Sequence, residues 1–175
     1  MRAWRIVSPR WASAPLAGDG AARHGGRWNR PGAPALYLSE AVETAFAEYQ
    51  QELGVRPGTF IAYEIVGARF ADLTDARILA EFGIPAAGLL APWKEAAFVR
   101  RDDPTTWVLA DRLASLFDGV RVPSAQYDGG VNLVLWRWNE GGGPTVMVRS
   151  QGRVRRPMTG SRARKQPLPR VRGGT

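Results

Sequence analysis

The sequence predicts a single α+β domain, built of mixed sheets with flanking helices. Three observations carry this. At 175 residues, 45% hydrophobic and 10% aromatic, the chain can bury one sizeable core and is short for two. Strand-like and helix-like segments follow in mixed rather than regularly alternating order, which disfavours a doubly wound sheet. There is no internal repeat and no glycine fingerprint of the GxGxxG or Walker type.

The elements follow in order. Residues 4–7 read as a first strand, and a long loop then runs through Gly18, Gly20, Gly25 and Gly26 to Pro31 and Gly32. A glycine-rich loop of that length is a candidate binding element. Residues 35–38 form a short apolar strand, after which Ser39 offers an oxygen to cap a helix over 40–53, with Glu40 and Glu43 in its first turn. Val42, Ala45, Phe46, Tyr49 and Leu53 recur at helical spacing, Gly54 stands at the C-terminal cap, and Glu48 lies at the edge of the apolar stripe. Residues 59–66 are β-branched and aromatic, and 69–73 read as another short strand. Helices are expected over 75–82 and 105–116, separated by a Pro- and Ala-rich stretch. Strands are expected over 119–123 and 131–138, with a hairpin turn over 139–144 leading into a strand over 145–149.

Composition narrows the chemistry. With no cysteine and one histidine, thiolate catalysis and disulfides are excluded and a histidine-built metal site is disfavoured. Arg, Glu, Ser, Asn, Tyr and Trp must carry the function. The opening MRAWRIVSPRWASAPL lacks the apolar core of a signal peptide, and no stretch reaches the roughly 18 apolar residues of a membrane span, so a soluble cytoplasmic protein is expected. The net charge of +8 belongs to the end of the chain. Residues 151–175 hold eight basic side chains and no acid, against sixteen basic and sixteen acidic residues in 1–150. The division is therefore a folded body, 1–150, and a basic tail, 151–175, too poor in apolar residues to order itself. The tail is either a solvated end or an electrostatic contact to nucleic acid or an acidic partner.

Individually, the candidate site residues carry two readings each. Gly25-Gly26-Arg27-Trp28-Asn29 sets an arginine fork and an indole behind two residues that let a ligand approach the backbone, which suits a diphosphate and a ring. The same arginine can bond loop carbonyls with Trp28 in the core. Tyr37 reads equally as a buried tyrosine, Glu48 as a solvent-facing glutamate, and Ser124 and Asn132 as turn residues. His24 is a candidate base or a loop-surface histidine.

Their combination resembles the RES family. Gly-Gly-Arg-Trp-Asn, Pro31-Gly32, a strand ending in Tyr37, a helix with Ala45 and Glu48, then Trp107, Val122-Pro123-Ser124 and Asn132-Leu133-Val134-Leu135 stand in its order and spacing over roughly residues 3–150. The Arg, Glu and Ser for which that family is named map onto Arg27, Glu48 and Ser124. The resemblance implies an ADP-ribosyltransferase-like fold and the toxin role of a bacterial type II toxin–antitoxin pair. It also implies cleavage of the nicotinamide–ribose bond of NAD by hydrolysis or phosphorolysis, NAD being substrate with no further cofactor and no metal. On that implication Arg27 holds the diphosphate, Glu48 stabilises the ribose cation, Tyr37 and Trp28 pack on the nicotinamide side, and Ser124 and Asn132 fix the ligand by hydrogen bonds. The implied partner is an Xre-type antitoxin blocking the cleft, with a toxin homodimer as an option within the complex. ADP-ribosyl transfer to a protein is the alternative, and nucleic-acid binding through the tail a further one. Leu135-Trp136-Arg137-Trp138 departs from the Asn-Pro continuation of many relatives.

Overall fold

The computed structural model describes residues 1–50 and 57–154. Seven strands make one mixed sheet: β1 (Arg2–Val7), β2 (Leu36–Ser39), β3 (Gly58–Val66), β4 (Phe70–Asp72), β5 (Gly119–Pro123), β6 (Val131–Leu135) and β7 (Thr145–Val154), in the order β4-β5-β6-β2-β1-β3-β7. Only β4 and β5 run parallel; the other neighbours are antiparallel. The helices are α1 (Asp19–His24), α2 (Val42–Gln50), α3 (Ala76–Glu81), α4 (Ala86–Leu89) and α5 (Thr105–Ala114), with a π-helix over Glu95–Arg100 and a 3₁₀ turn over Pro9–Trp11. This is the expected α+β single domain. Among the described residues no helix is long and apolar enough to cross a membrane.

Period-two alternation gives the sheet two buried faces. Leu36 and Leu38 of β2, Leu133 and Leu135 of β6, and Ile61, Tyr63 and Ile65 of β3 build one core. Val120 and Val122 of β5 and Val134 of β6 point the other way and meet Trp28, Leu89 and Leu113. Register then settles which polar residues share that second face. Tyr37 lies opposite Val134, and Ser39 and Val122 both lie opposite Asn132, so all of these project to the side on which α2 packs over β1 and β2.

Between β1 and β2 the sheet opens. The two strands share one register pair, Trp4 with Ser39, whereas β1 pairs with β3 over six residues. An interior gap between two central strands is costly in unpaired backbone unless something polar occupies it, and here it leads directly into the cavity described below.

Several expectations need correction. Ser39 does not cap a helix: its Oγ donates to Asn132 Oδ1 at 2.8 Å, and α2 begins three residues on. Glu40 instead ties this entry to β5, accepting from Arg121 Nε at 2.6 Å and Nη2 at 2.9 Å as a bidentate pair. Residues 51–54, the expected end of this helix and its glycine cap, lie outside the described residues. The glycine-rich loop contains α1, and the Pro- and Ala-rich stretch contains α4 and the π-helix. Residues 139–144 do form a turn, closed by Asn139 N–H to Pro144 O at 2.8 Å, but not a hairpin. β6 ends at Leu135 in mid-sheet, and β7 pairs with β3 at the far edge and continues to Val154. Local turn chemistry cannot tell a hairpin from a crossing of the same length. The basic tail beyond residue 154 lies outside the described residues.

Candidate active site

The Gly-Gly-Arg-Trp-Asn segment is a tight turn held by hydrogen bonds from several elements. Gly26 N–H donates to Asn29 O at 3.0 Å, and a side chain on Gly26 would meet Tyr37 Oη at 2.3 Å and Asn29 Oδ1 at 2.7 Å, so only glycine fits. Asn29, 3% exposed, donates Nδ2 to the carbonyls of Ala21, Arg30 and Ala33 at 2.8–3.1 Å and accepts the Tyr37 hydroxyl at 2.7 Å. The Tyr37 oxygen in turn accepts Trp28 N–H at 2.9 Å. Two indoles close the account: Trp107 Nε1 donates to Gly26 O at 2.7 Å and Trp136 Nε1 to Trp28 O at 2.8 Å. A loop with its donors and acceptors filled from α1, β2, α5 and the chain after β6 is a rigid platform.

That platform aims Arg27. Its Nη1 donates to Ala91 O at 2.7 Å and Leu89 O at 3.2 Å, fastening the turn to the segment after α4. Burial lowers its pKa, against the favourable fields of Glu48 and Tyr37; a guanidinium remains charged throughout. Both readings of Arg27 therefore hold together: it bonds loop carbonyls, and it lines a cavity with Glu48. Trp28 is 2% exposed and part of the core, so it forms cavity wall backed by packing. Burial also holds the Tyr37 phenol well above its ordinary range, despite the Trp28 N–H and the Arg27 charge, so it stays protonated as a donor.

Glu48 reaches the same place from α2. Its Oε1 accepts from Asn132 Nδ2 at 2.6 Å and from Ser124 Oγ at 2.7 Å. The carboxylate, which can only accept, fixes which end of the Asn132 amide faces it, and the Ser39 hydroxyl holds the other end by donating to Oδ1. Ser124 Oγ accepts from the backbone N–H groups of Gln126 and Tyr127, both at 3.1 Å, so its proton is directed to Glu48. The loop carrying Ser124 is pressed on α2: a side chain at Gly130 would lie 2.7 Å from Thr44 Oγ1. Five of the six residues expected to form the site, Arg27, Tyr37, Glu48, Ser124 and Asn132, thus belong to one connected set with Trp28 behind it. His24 sits exposed at the end of α1, outside this set.

Glu48, Tyr37 and Asn132 form a wall common to two cavities. One, about 410 Å³, occupies the opening between β1 and β2 and is lined mainly by Trp4, Ile6, Ala45 and Tyr49, with Arg5 and Ser8 as polar members. The other, about 440 Å³, carries Arg27, Trp93, Lys94 and Gln126. The arrangement can therefore seat an anionic group beside the cations, an apolar ring in the sheet opening, and a developing positive charge at the carboxylate between them.

Sequence reasoning missed Arg5 and gave Asn29 no role of its own. Arg5 is bonded to Tyr63, whose hydroxyl donates to Pro15 O at 2.8 Å, and burial lowers its pKa, against the field and hydrogen bond of Tyr63. The signal was a lone arginine inside the apolar run Trp4-Arg5-Ile6-Val7, a place where a cation is rarely kept without a purpose. Trp136 and Trp138, in the segment that departs from the family pattern, donate to Trp28 O and Leu16 O, the first bracing the glycine turn and the second a loop over the other core.

Comparisons with known proteins bear on the fold and the family. A stretch of 48 residues, 27% of this chain, is 42% identical to "Toxin Res" of Yersinia enterocolitica, and the chain spans about a third of that relative, 32% of its length. The fold is similar to a chain in the crystal structure of the M. tuberculosis MbcT-MbcA toxin-antitoxin complex, with a TM-score of 0.66 at 20% identity over 87% of this chain and 83% of that one. The RES domain matches residues 2–157, a span that contains the glycine turn, the carboxylate and its hydrogen-bond donors, and the chain therefore belongs to the RES domain family.

Proposed function

We propose that this chain cleaves the nicotinamide–ribose bond of NAD and acts as the toxin of a bacterial type II toxin–antitoxin pair. The observation that carries the reading is Glu48, placed between a cavity lined by Arg27 and Lys94 and one at the opening between β1 and β2, with both donors on the same oxygen, Oε1. Breaking the glycosidic bond moves electrons onto the nicotinamide nitrogen, which leaves neutral, and generates an oxocarbenium-like ribose. A carboxylate held in advance at that position stabilises the new charge without reorganising. Arg27 would hold the diphosphate on one side. The opening between β1 and β2 would take the nicotinamide on the other, with Tyr37 as the wall at the boundary. NAD is the substrate, no other cofactor takes part, and the reaction belongs in the cytoplasm.

The names of the relatives, a toxin and a toxin–antitoxin complex, support the biological role, with an Xre-type antitoxin covering the cleft that holds Arg27. ADP-ribosyl transfer to a protein uses the same cleavage with another acceptor. Incubating the purified protein with NAD, with and without inorganic phosphate, and identifying the products tests both. Nicotinamide release with ADP-ribose or its 1-phosphate supports NAD breakdown, label retained on protein supports transfer, and intact NAD refutes the reading.

A further inference from the structure

The cavity that Glu48 shares with Arg27 has a wall the family motif does not include: Pro92, Trp93 and Lys94, which follow α4. Arg27 itself sets this wall in place, since its two carbonyl acceptors, Leu89 and Ala91, immediately precede it. The Trp93 ring packs edge-on against Phe98 at 5.8 Å and tilted against Trp107 at 6.2 Å; the same Trp107 pins the Gly26 carbonyl. The indole is thus held from behind, half-buried, and borders the cavity. Lys94 is exposed, with Nζ 5.9 Å from the Trp93 ring centre. Among the described residues it has no carboxylate within ion-pair distance.

The charges of this cavity therefore comprise two cations, Arg27 and Lys94, and one carboxylate, Glu48. A nicotinamide mononucleotide brings a single phosphate. A dinucleotide spreads about the same charge over two phosphates, further from the ribose, and brings a second base whose face needs a partner. Resting on the NAD reading above, we propose that Trp93 and Lys94 form an adenosine-side subsite. The indole stacks on the second base and the ammonium joins Arg27 on the diphosphate, so that the site selects the dinucleotide over the mononucleotide with the same glycosidic bond.

The test compares NAD with nicotinamide mononucleotide as substrates, and ADP-ribose as a calorimetric probe, on the full chain. Stacking of one base on an aromatic ring is worth enough for about tenfold in affinity. Trp93→Ala should weaken ADP-ribose by about that factor and lower the NAD-to-mononucleotide ratio of kcat/KM to match, with Trp93→Phe restoring most of both. Lys94→Ala, at an exposed position that leaves folding intact, should lower the same ratio severalfold and make ADP-ribose binding less dependent on salt. If NAD is cleaved by the wild type but the ratio stays within twofold in Trp93→Ala and Lys94→Ala, the subsite is refuted while the NAD reading stands. If the wild type cleaves neither compound, the NAD reading falls and the subsite with it.

Discussion

Replacing Glu48 by glutamine isolates charge from shape, because the surrounding hydrogen bonds dictate how the new side chain must sit. Asn132 has its Oδ1 occupied by the Ser39 hydroxyl and so presents Nδ2 to residue 48, and Ser124 presents its hydroxyl proton to the same atom. Only an oxygen can receive both. The glutamine must therefore keep its Oε1 in the wild-type place and turn its NH2 group to where the carboxylate's Oε2 was. The network survives with neutral in place of charge-assisted bonds, a change of about 1–2 kcal/mol in stability at most. A positive N–H edge then replaces the negative oxygen. Losing one preorganised group aimed at transition-state charge costs about 10²–10³ in rate, or roughly 3–4 kcal/mol. NAD affinity should change far less than turnover, since the positive charge lies on the pyridinium nitrogen in the bound substrate and moves onto the ribose beside Glu48 only as nicotinamide leaves. Nicotinamide release read by chromatography gives turnover, and calorimetry on the folded variant gives affinity. Turnover within twofold of wild type would refute the electrostatic role of Glu48.

Three further expectations follow from the same contacts. Arg27→Ala removes a charged donor from the cavity and leaves the carbonyls of Leu89 and Ala91 without it, so NAD affinity should fall tenfold to a hundredfold, at about 1.5–3 kcal/mol for a charge-assisted bond; normal affinity by calorimetry refutes the phosphate role. Ser39→Ala takes away the donor that holds Asn132 Oδ1, and should lower kcat by about tenfold with KM nearly unchanged, on the order of 1 kcal/mol for one hydrogen bond; an unaltered kcat means that the carboxylate positions the amide without Ser39. Asp118, 4% exposed, has a lowered pKa: burial alone would raise it, and the Arg69 N–H at 2.7 Å with Arg137 Nε at 2.5 Å outweighs that. A folded-state value below the unfolded one means that its stabilisation is complete above about pH 4 and is lost as pH falls below it. Asp118→Asn should thus lower stability at pH 7 and flatten its acid dependence in denaturant titrations; a parallel acid limb would overturn this.

Much of the site was legible because motif order carries spatial information that single residues lack. Glu48 alone is an ordinary helix residue, but a carboxylate one turn after the buried Thr44 and Ala45 comes to face Asn132 and Ser124 once β2 and β6 are paired. What could not be read is what depends on pairing itself. Ser39 had two local options, capping a helix or facing a neighbouring strand, and only its register opposite Asn132 chooses the second. Asn139 to Pro144 closes a turn of hairpin size, yet β6 was already flanked by β5 and β2, so β7 had no edge to join there and crossed to β3. Arg5 was hidden for the complementary reason: inside a strand pattern it looks like an interruption, and its place is explained only by its bond to Tyr63 across the β1–β3 pairing.

These observations make the rigidity of the glycine turn part of the chemistry. A guanidinium on a mobile loop would lose conformational entropy on each binding event and could swing onto Glu48, neutralising the charge the reaction needs. Here the turn's carbonyls are held by Trp107 and Trp136, its side-chain acceptor by Tyr37, and Arg27 itself by Leu89 and Ala91, while Glu48 is satisfied by neutral donors, Ser124 and Asn132. Neither charge is spent in an ion pair with the other. Both stay available to a ligand that is anionic at its diphosphate and whose positive charge passes from the pyridinium nitrogen to the ribose, which is the charge pattern of a pyridinium dinucleotide during cleavage.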